Sequence, residues 1–553
     1  MNKIDRKITI AIKEFNSKIH YKIGNFNVWF SGYILNNDQI SFLNKLAEML
    51  GNDLSTGSDF DCLTRSVQGH FSCIISNKEK LFCCVDRVRT IPIFYAFSST
   101  EVIVSNYAPD ISTIIGVNKN EYNKQAILEI SMSGYAIGNK TLHPQISQLC
   151  AGELLILKDD KVEVREYYQY SPWKVKEKSK THLKKELTEV SRTILEDMVK
   201  SADGRQIVVP LSAGNDSRFI VSGLKELGVK DVICFSYGVN NNFEVKTAKN
   251  VADHLSYKWL YIPLSLSNQK KYFSDEAFNK YCRFSDTLSN SPILIDYSAL
   301  NNLSSLDCIS NDAIFVNGNS GDFITGGHVL PNRTTGSDCQ LDTFLSAFIN
   351  KHYSLWNCLQ SDDNINNIKN ELSGVINELK NDYSLTNDSL WAIFENIEWA
   401  GRQSKFVTAT QRSYEFHGYD WRLPLWDSLY MDFWESVPKK YKLNQSLYIE
   451  TLRENNWGGV WHNIEVNGFT IASSMLRFSR NFMKLFFLFS GKDEWDKFDR
   501  KYFNYFVDNT AATAIVPYSS ILFDQCGARN RNSWMVKKYL LEKEININKH
   551  KFI

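Results

Sequence analysis

Short runs of apolar or alternating residues punctuate the first third of the chain, at positions 28–33, 69–75, 81–85, 92–96, 102–105 and 154–157. Turn-forming residues separate them, which predicts a mostly β, layered or sandwich-like region over about residues 20–170. Between the first two runs, 40–50 carries its apolar residues at helical spacing. The charged stretch 174–180 (Lys-Val-Lys-Glu-Lys-Ser-Lys) then predicts a linker. Beyond it the period changes: Leu183, Leu187, Val190, Ile194 and Met198 form one helical stripe. A predicted strand over 206–211 leads into a helix ending near Leu227, with Gly228 as its cap. A strand over 232–236, a helix over 244–255 and strands over 259–262 and 313–316 follow. This alternation predicts a parallel sheet covered by helices, whose ligands bind at the carboxyl ends of the strands.

Composition narrows the class. With 553 residues the chain has material for two or more domains, and 43% hydrophobic content is that of a soluble globular protein. The formal charge is +1, from 63 basic and 62 acidic residues, so no global field favours nucleic acid as a partner. Eleven cysteines at irregular spacing, two of them adjacent at Cys83-Cys84 and none in a C-x-x-C pattern, argue against a disulfide framework or zinc site. The first five residues lack the apolar core of a signal peptide, and no segment reaches the ~18 apolar residues of a membrane span. A cytoplasmic location is the expectation.

The candidate chemistry lies where the first parallel strand ends. Leu211-Ser212-Ala213-Gly214-Asn215-Asp216-Ser217 is a small-residue turn that opens directly into a helix. Small residues let the backbone approach an anion, and a helix start supplies unpaired N–H groups and the positive end of its dipole. Asp216 would hold Mg²⁺ against phosphate oxygens. No Gly-Lys-Ser/Thr follows, so this is not a Walker-type loop. At the end of the next strand Phe235 and Ser236 could flank an adenine ring; plain core packing is the competing reading for Phe235. The 313–316 strand runs into Asn317-Gly318-Asn319-Ser320-Gly321-Asp322, a second glycine-rich loop carrying an aspartate. Asp216 and Asp322 together would give Mg²⁺ two carboxylates.

The Ser212–Ser217 loop resembles the pyrophosphate-binding loop of PP-loop ATP pyrophosphatases, usually Ser-Gly-Gly-x-Asp-Ser, with Ala213 in place of the first glycine. With Phe235-Ser236, Ser320-Gly321-Asp322 and Asp420-Trp421-Arg422-Leu423-Pro424-Leu425-Trp426-Asp427, in that order, the chain resembles the asparagine synthetase family. Gly69–Ile75, Asp86–Tyr95 and Ala151-Gly152-Glu153 look like landmarks of the family's class II glutamine amidotransferase domain. That domain uses an N-terminal cysteine, whereas here the chain begins Met1-Asn2 and the first cysteine, Cys62, falls deep in the predicted fold. The resemblance therefore implies an α/β protein in three parts. Residues 1–173 would form a degenerate Ntn-type αββα sandwich, residues 181–470 a PP-loop parallel-sheet domain, and residues 471–553 a helical C-terminal extension.

The family's activity is adenylation of a carboxylate with ATP and Mg²⁺, followed by attack of a nitrogen nucleophile. Asp216 and Asp322 are expected as metal ligands. Leu211, Ser212, Ala213, Gly214, Asn215, Ser217, Gly318, Ser320 and Gly321 are expected around the phosphates. A late lysine of the family is not found in its usual place, which reads Trp461-His462-Asn463-Ile464-Glu465; Lys442 is the nearest candidate, a solvated surface lysine the competing reading. Glu398 and Arg402, four apart on a predicted helix, could face the substrate, although a surface salt bridge is the reading the spacing favours. The forms of the two late motifs look more like members associated with bacterial surface polysaccharide biosynthesis, which implies a sugar carboxylate such as a uronic acid as acceptor. Ammonia or an amine would come from solution or a separate glutaminase. Three other readings stand beside this one: a β-lactam synthetase-type cyclase, a sulfur-transferring PP-loop enzyme and an inactive binding protein. Finally, Met475, Phe478, Phe482, Leu485 and Phe489 share one helical face and Arg477, Arg480 and Lys484 the other. The apolar face is expected to pack on the protein's own core or a homodimer partner, with no membrane contact.

Overall fold

The computed structural model describes residues 6–13, 18–35, 38–117, 121–240, 242–304, 306–329, 341–379, 389–462, 464 and 474–547. Its first part holds strands β1 (Lys7–Ala11), β2 (Lys18–Ile23), β3 (Phe26–Ile34), β4 (Gly69–Ser76), β5 (Leu81–Val85), β6 (Phe94–Phe97), β7 (Glu101–Ser105), β8 (Ser147–Gln148), β9 (Glu153–Lys158) and β10 (Lys161–Glu166). Helices α1 (Gln39–Gly51), α2 (Gly57–Arg65), α3 (Ala108–Ile115) and α4 (Lys124–Ser133) lie between them. The strands form two sheets, one of order β1-β7-β6-β8 and one of order β10-β9-β5-β4-β3-β2.

Side-chain alternation stacks these sheets. In β4 and β5, Ile74, Leu81, Cys83 and Val85 pack with Ile93, Tyr95, Val102 and Val104 of the other sheet. Their neighbours Phe71, Cys73, Ile75, Phe82 and Cys84 point the opposite way, onto Phe42, Leu46 and Phe60 of α1 and α2. The first sheet shows its outer face, Phe94, Ala96 and Ile103, to Ile111, Ile127 and Ile130 of α3 and α4. Four layers, αββα, result. Adjacent Cys83 and Cys84 face opposite layers, which is why their vicinity in sequence brings no pairing.

Beyond the exposed stretch at 174–178, α5 (Lys180–Ala202) and α6 (Asn215–Glu226) flank a second architecture. Strands β11 (Ile207–Pro210), β12 (Val232–Gly238), β13 (Lys258–Pro263), β14 (Ile314–Val316) and β15 (Asp420–Arg422) form one sheet of order β13-β12-β11-β14-β15. Every pairing in it is parallel. The order reverses at β11, so the carboxyl ends of β11, β12 and β14 border one crevice. Among the further helices are α7 (Leu390–Glu398) and, toward the C-terminus, α8 (Ser474–Leu485), α9 (Lys492–Tyr502) and α10 (Arg531–Glu542).

The helical segment after 471 packs on earlier parts of the chain: Trp534, Val536, Tyr539 and Leu540 of α10 share a core with Ile127 and Ile130 of α4 and with Phe348 and Trp356. The apolar face of α8, expected on the protein's own core or a homodimer partner, does not meet that core: Met475 is 81% exposed and Phe478 74%, and just past the helix Phe489 is 100% exposed. The inward side of the segment is another one, where Phe487 packs against Trp495 and Phe498 and Arg480 grips Asp499 through two 2.7 Å hydrogen bonds. No helix among the described residues is long and apolar enough to cross a membrane.

Candidate nucleotide and metal site

A cleft of about 740 Å³ opens at the carboxyl ends of β11, β12 and β14. Leu211, Ser212, Gly214, Asp216, Ser217, Phe235, Ser236 and Gly318 line it, as do Asn317 and Asn319. The 211–217 turn is preformed: the Gly214 amide donates to Ser212 Oγ (3.1 Å) and the Ser212 amide to Ser217 Oγ (3.1 Å). Gly214 is the N-cap of α6 and supplies no side-chain cap. The first-turn N–H groups of a twelve-residue helix are thus left for a ligand.

Asp216 sits in the first turn of that helix, half-buried, with its Oδ1 shielded from solvent and without a hydrogen-bond partner. Burial, and then the charge of Asp322, push its carboxyl up to about 8, against hydrogen bonds from the Asp322 amide and the Tyr448 hydroxyl. The second loop closes on it. A Cβ on Gly321 would fall 2.3 Å from Asp216 Cγ, and one on Gly318 2.8 Å from Asp216 Cβ. Only hydrogen fits at either place, and this contact is what brings the two loops together. A divalent cation suits the bare Oδ1, the glycine-lined approach and the uncompensated charge. Among the described residues no group of three or more His, Cys, Asp or Glu side chains could hold a metal alone.

Asp322 lies at the edge of this arrangement. Its carboxylate accepts from the Phe323 amide (2.9 Å) and meets His328 Nε2 at 3.1 Å. His328 Nδ1 lies 2.6 Å from Glu398 Oε1. Burial opposes the charge on His328, but hydrogen bonds to Asp322 and Glu398 prevail and raise it to about 9. Glu398 is fully buried and also meets His352 Nε2 at 3.2 Å and Lys351 Nζ at 3.5 Å. The expected Glu398–Arg402 surface pair is therefore corrected: Glu398 turns inward to two histidines, and Arg402 lies over the Phe406 ring, 5.5 Å from its centroid.

Lys442 is corrected in the same way. It is not solvated and does not line the cleft; its Nζ is fully buried, 2.6 Å from Glu395 Oε2, between the rings of Tyr170 and Trp391. Burial lowers its ammonium, against the attraction of Glu395. The backbone of Lys442 carries Gly326, where a Cβ would fall 2.4 Å from the Lys442 carbonyl oxygen, so this residue supports the second loop from behind. Asn463 and Glu465 of the segment that replaces the family lysine lie outside the described residues. Ser236 has a structural bond as well, its hydroxyl donating to the Leu211 carbonyl (2.7 Å). Phe235 is fully buried against Phe315. Ser320 turns away to Gln403 (2.6 Å), Ala213 gives its carbonyl to Arg218 (3.1 Å), and neither Asn215 nor Gly321 lines the cleft.

The rest of the wall comes from residues that no motif marks. Tyr237, Glu244 and Asp296 line it, as do Arg480, Asn504, Asp508, Asn509, Thr510 and Arg531 from the C-terminal part of the chain. The Asn509 carbonyl accepts from the Val239 amide (2.8 Å), which ties the C-terminal segment to the end of β12. Cys62, expected deep in the fold, lies exposed on α2. Burial pushes the thiols of Cys73 and Cys83 well up and that of Cys150 up to about 12.

Residues 50–168 match the glutamine amidotransferase domain family. A protein of Methanocaldococcus jannaschii named "Putative asparagine synthetase 2, glutamine-hydrolyzing" is 25% identical over 315 residues, half of this chain. The chain spans 60% of that relative's length. Together the two similarities support the asparagine synthetase family. Among solved structures, the allosteric regulatory enzyme of purine biosynthesis aligns at 9% identity and TM-score 0.18, over 44% of this chain and 62% of that one. The glutamine phosphoribosylpyrophosphate amidotransferase of B. subtilis aligns at 9% and 0.16, over 54% and 64%. At these TM-scores neither likeness bears on the fold.

Proposed function

We propose that the protein is an ATP-dependent carbon–nitrogen ligase that adenylates an acceptor carboxylate and amidates it. The observation that carries this reading is the bare Asp216 Oδ1 beside the uncapped start of α6, in a cleft at the ends of parallel strands. The similarity to a named asparagine synthetase supports it. Asp216, with Asp322 beside it, would hold Mg²⁺, which supplies charge neutralisation on phosphate oxygens. The 212–217 turn and the α6 N–H groups would cradle pyrophosphate as it leaves. The acceptor carboxylate attacks the α-phosphate and gives acyl-AMP and pyrophosphate. Ammonia or an amine then displaces AMP and yields the amide and a proton.

The 50–168 region is read as a shield or scaffold: Cys73 and Cys83 are buried and Cys150 half-buried, all weakly acidic thiols, and the exposed Cys62 lies on α2. The acceptor is proposed to be a sugar acid of surface polysaccharide biosynthesis. Pyrophosphate release with ATP, Mg²⁺ and ammonium, screened over uronic acids and amino-dicarboxylic acids, tests both levels. Turnover with a uronic acid supports the reading in full. Turnover only with an amino-dicarboxylic acid overturns the sugar acceptor, and no ATP-dependent pyrophosphate release with any carboxylate overturns the ligase.

A further inference from the structure

Behind the C-terminal wall of the cleft lies a second cavity of about 270 Å³, and Asn504 and Arg531 line both. Lys497, Arg500, Lys501 and Arg529 join Arg531 around it, with Asp524 the acidic side chain among them and Tyr505 and Trp534 buried at its floor. The charges do not cancel. Asp524 spends its oxygens on the amides of Cys526 (3.2 Å) and Ala528 (2.9 Å), and Lys497 is offset by Glu494 at 2.6 Å. Arg529 is held by neutral groups, the carbonyls of Asn350 and Lys351 and the hydroxyl of Ser354. Among the described residues Arg500, Lys501 and Arg529 form no ion pair with a carboxylate. The guanidinium of Arg529 is lowered by burial and then by the like charges of Arg500 and Arg402.

Uncompensated cations gathered around a cavity favour a counter-charge from outside the chain. One carboxylate would offset one of the three free cations, whereas a phosphate dianion or a diphosphate offsets two or three and offers acceptors to the guanidinium forks. We infer that this cavity is the acceptor subsite of the proposed ligase and binds the phosphate-bearing end of an acid whose carboxylate reaches into the nucleotide cleft past Asn504 and Arg531. This deepens the reading of the neighbouring cleft as a nucleotide site and rests on it; the substrate class it names is a phosphorylated acid rather than a free one.

The test is calorimetry on the full chain with EDTA present, so that metal-dependent binding at Asp216 is silent. Glucuronic acid 1-phosphate, inorganic pyrophosphate and free glucuronic acid serve as probes. The first two are expected to bind and the third at least about tenfold more weakly. The double variant Arg500→Ala/Lys501→Ala, both exposed side chains, is expected to weaken the phosphorylated probes about tenfold or more while Mg²⁺·ATP-analogue binding is unchanged. Asp216→Ala should do the reverse. Equal binding of free and phosphorylated acid, or phosphate binding untouched by the double variant, overturns the subsite even where the nucleotide site stands. Binding of pyrophosphate but not of the sugar phosphate also overturns it and leaves a pyrophosphate site. Loss of analogue binding in wild type removes the nucleotide reading instead.

Discussion

Asp86 and Asp216 are the same residue placed in two regions of one molecule, each with carboxylate oxygen shielded from water. Asp86, in the four-layered N-terminal part, is 1% exposed and accepts from the amides of Phe71 (3.2 Å), Val88 (2.8 Å) and Thr90 (3.0 Å) and from the Thr90 hydroxyl (2.5 Å). Burial raises it to about 6 while those donors oppose the shift. Asp216 has a bare Oδ1 and a like charge beside it, and rises to about 8. A buried carboxylate that is fully bonded holds a turn in place. One whose Oδ1 has no partner, its shift opposed only by the Asp322 amide and the Tyr448 hydroxyl, is unfinished until a ligand arrives. The N-terminal region spends its polar groups on architecture; the crevice of the parallel sheet withholds them.

If this contrast is right, substitutions at the two sites separate stability from binding. The largest effect is expected for Asp86→Ala, which strands three buried amides and should cost about 4 kcal/mol in denaturant unfolding. Asp216→Ala should lower Mg²⁺-dependent nucleotide affinity by about 100-fold or more, with unfolding stability unchanged or raised. Equal destabilisation by the two would erase the distinction.

A titratable group in the bonded region should report in stability rather than binding. His70 lies 2.6 Å from the Tyr33 hydroxyl and packs near Trp421, and burial lowers it to about 3. It stays neutral when folded, while the unfolded side chain gains a proton near 6.5, so its contribution is present above that pH and lost as pH falls toward 3. Unfolding at pH 5 should be about 2 kcal/mol easier than at pH 7 on this account, and His70→Phe should flatten that slope. Smaller still is Gly321→Ala, whose methyl must displace Asp216; about a tenfold loss of nucleotide affinity is expected, read by the same titration. Phe478→Ser on the exposed face of α8 should change unfolding by no more than about 0.5 kcal/mol.

Local pattern carried much of the fold. The residues 81–85 form a strand with the boundaries their apolar run predicts, and α1 and α6 begin and end within a residue or so of their stripes. Short or exposed elements left little trace: β8 has two residues, β10 exposes most of its side chains, and β15 has three residues inside a motif rich in proline and tryptophan. At the site, Ser212–Ser217 was legible because strand, small-residue turn and helix are contiguous. The inward turn of Glu398 was not, because its partners His328 and His352 come from other segments and a four-residue spacing speaks only of its own helix. Asp508–Thr510 and Arg531 could not be read either, since they reach the cleft from more than two hundred residues beyond β12.

On the proposed function, Asp216 Oδ1 is bare because a metal-bound nucleotide completes it. Calorimetry of the wild-type chain with a non-hydrolysable ATP analogue, run with Mg²⁺ and again with EDTA, tests this most directly. One site is expected, with an affinity that falls at least about tenfold when Mg²⁺ is withdrawn. Binding of equal strength in both titrations, or none in either, would contradict it.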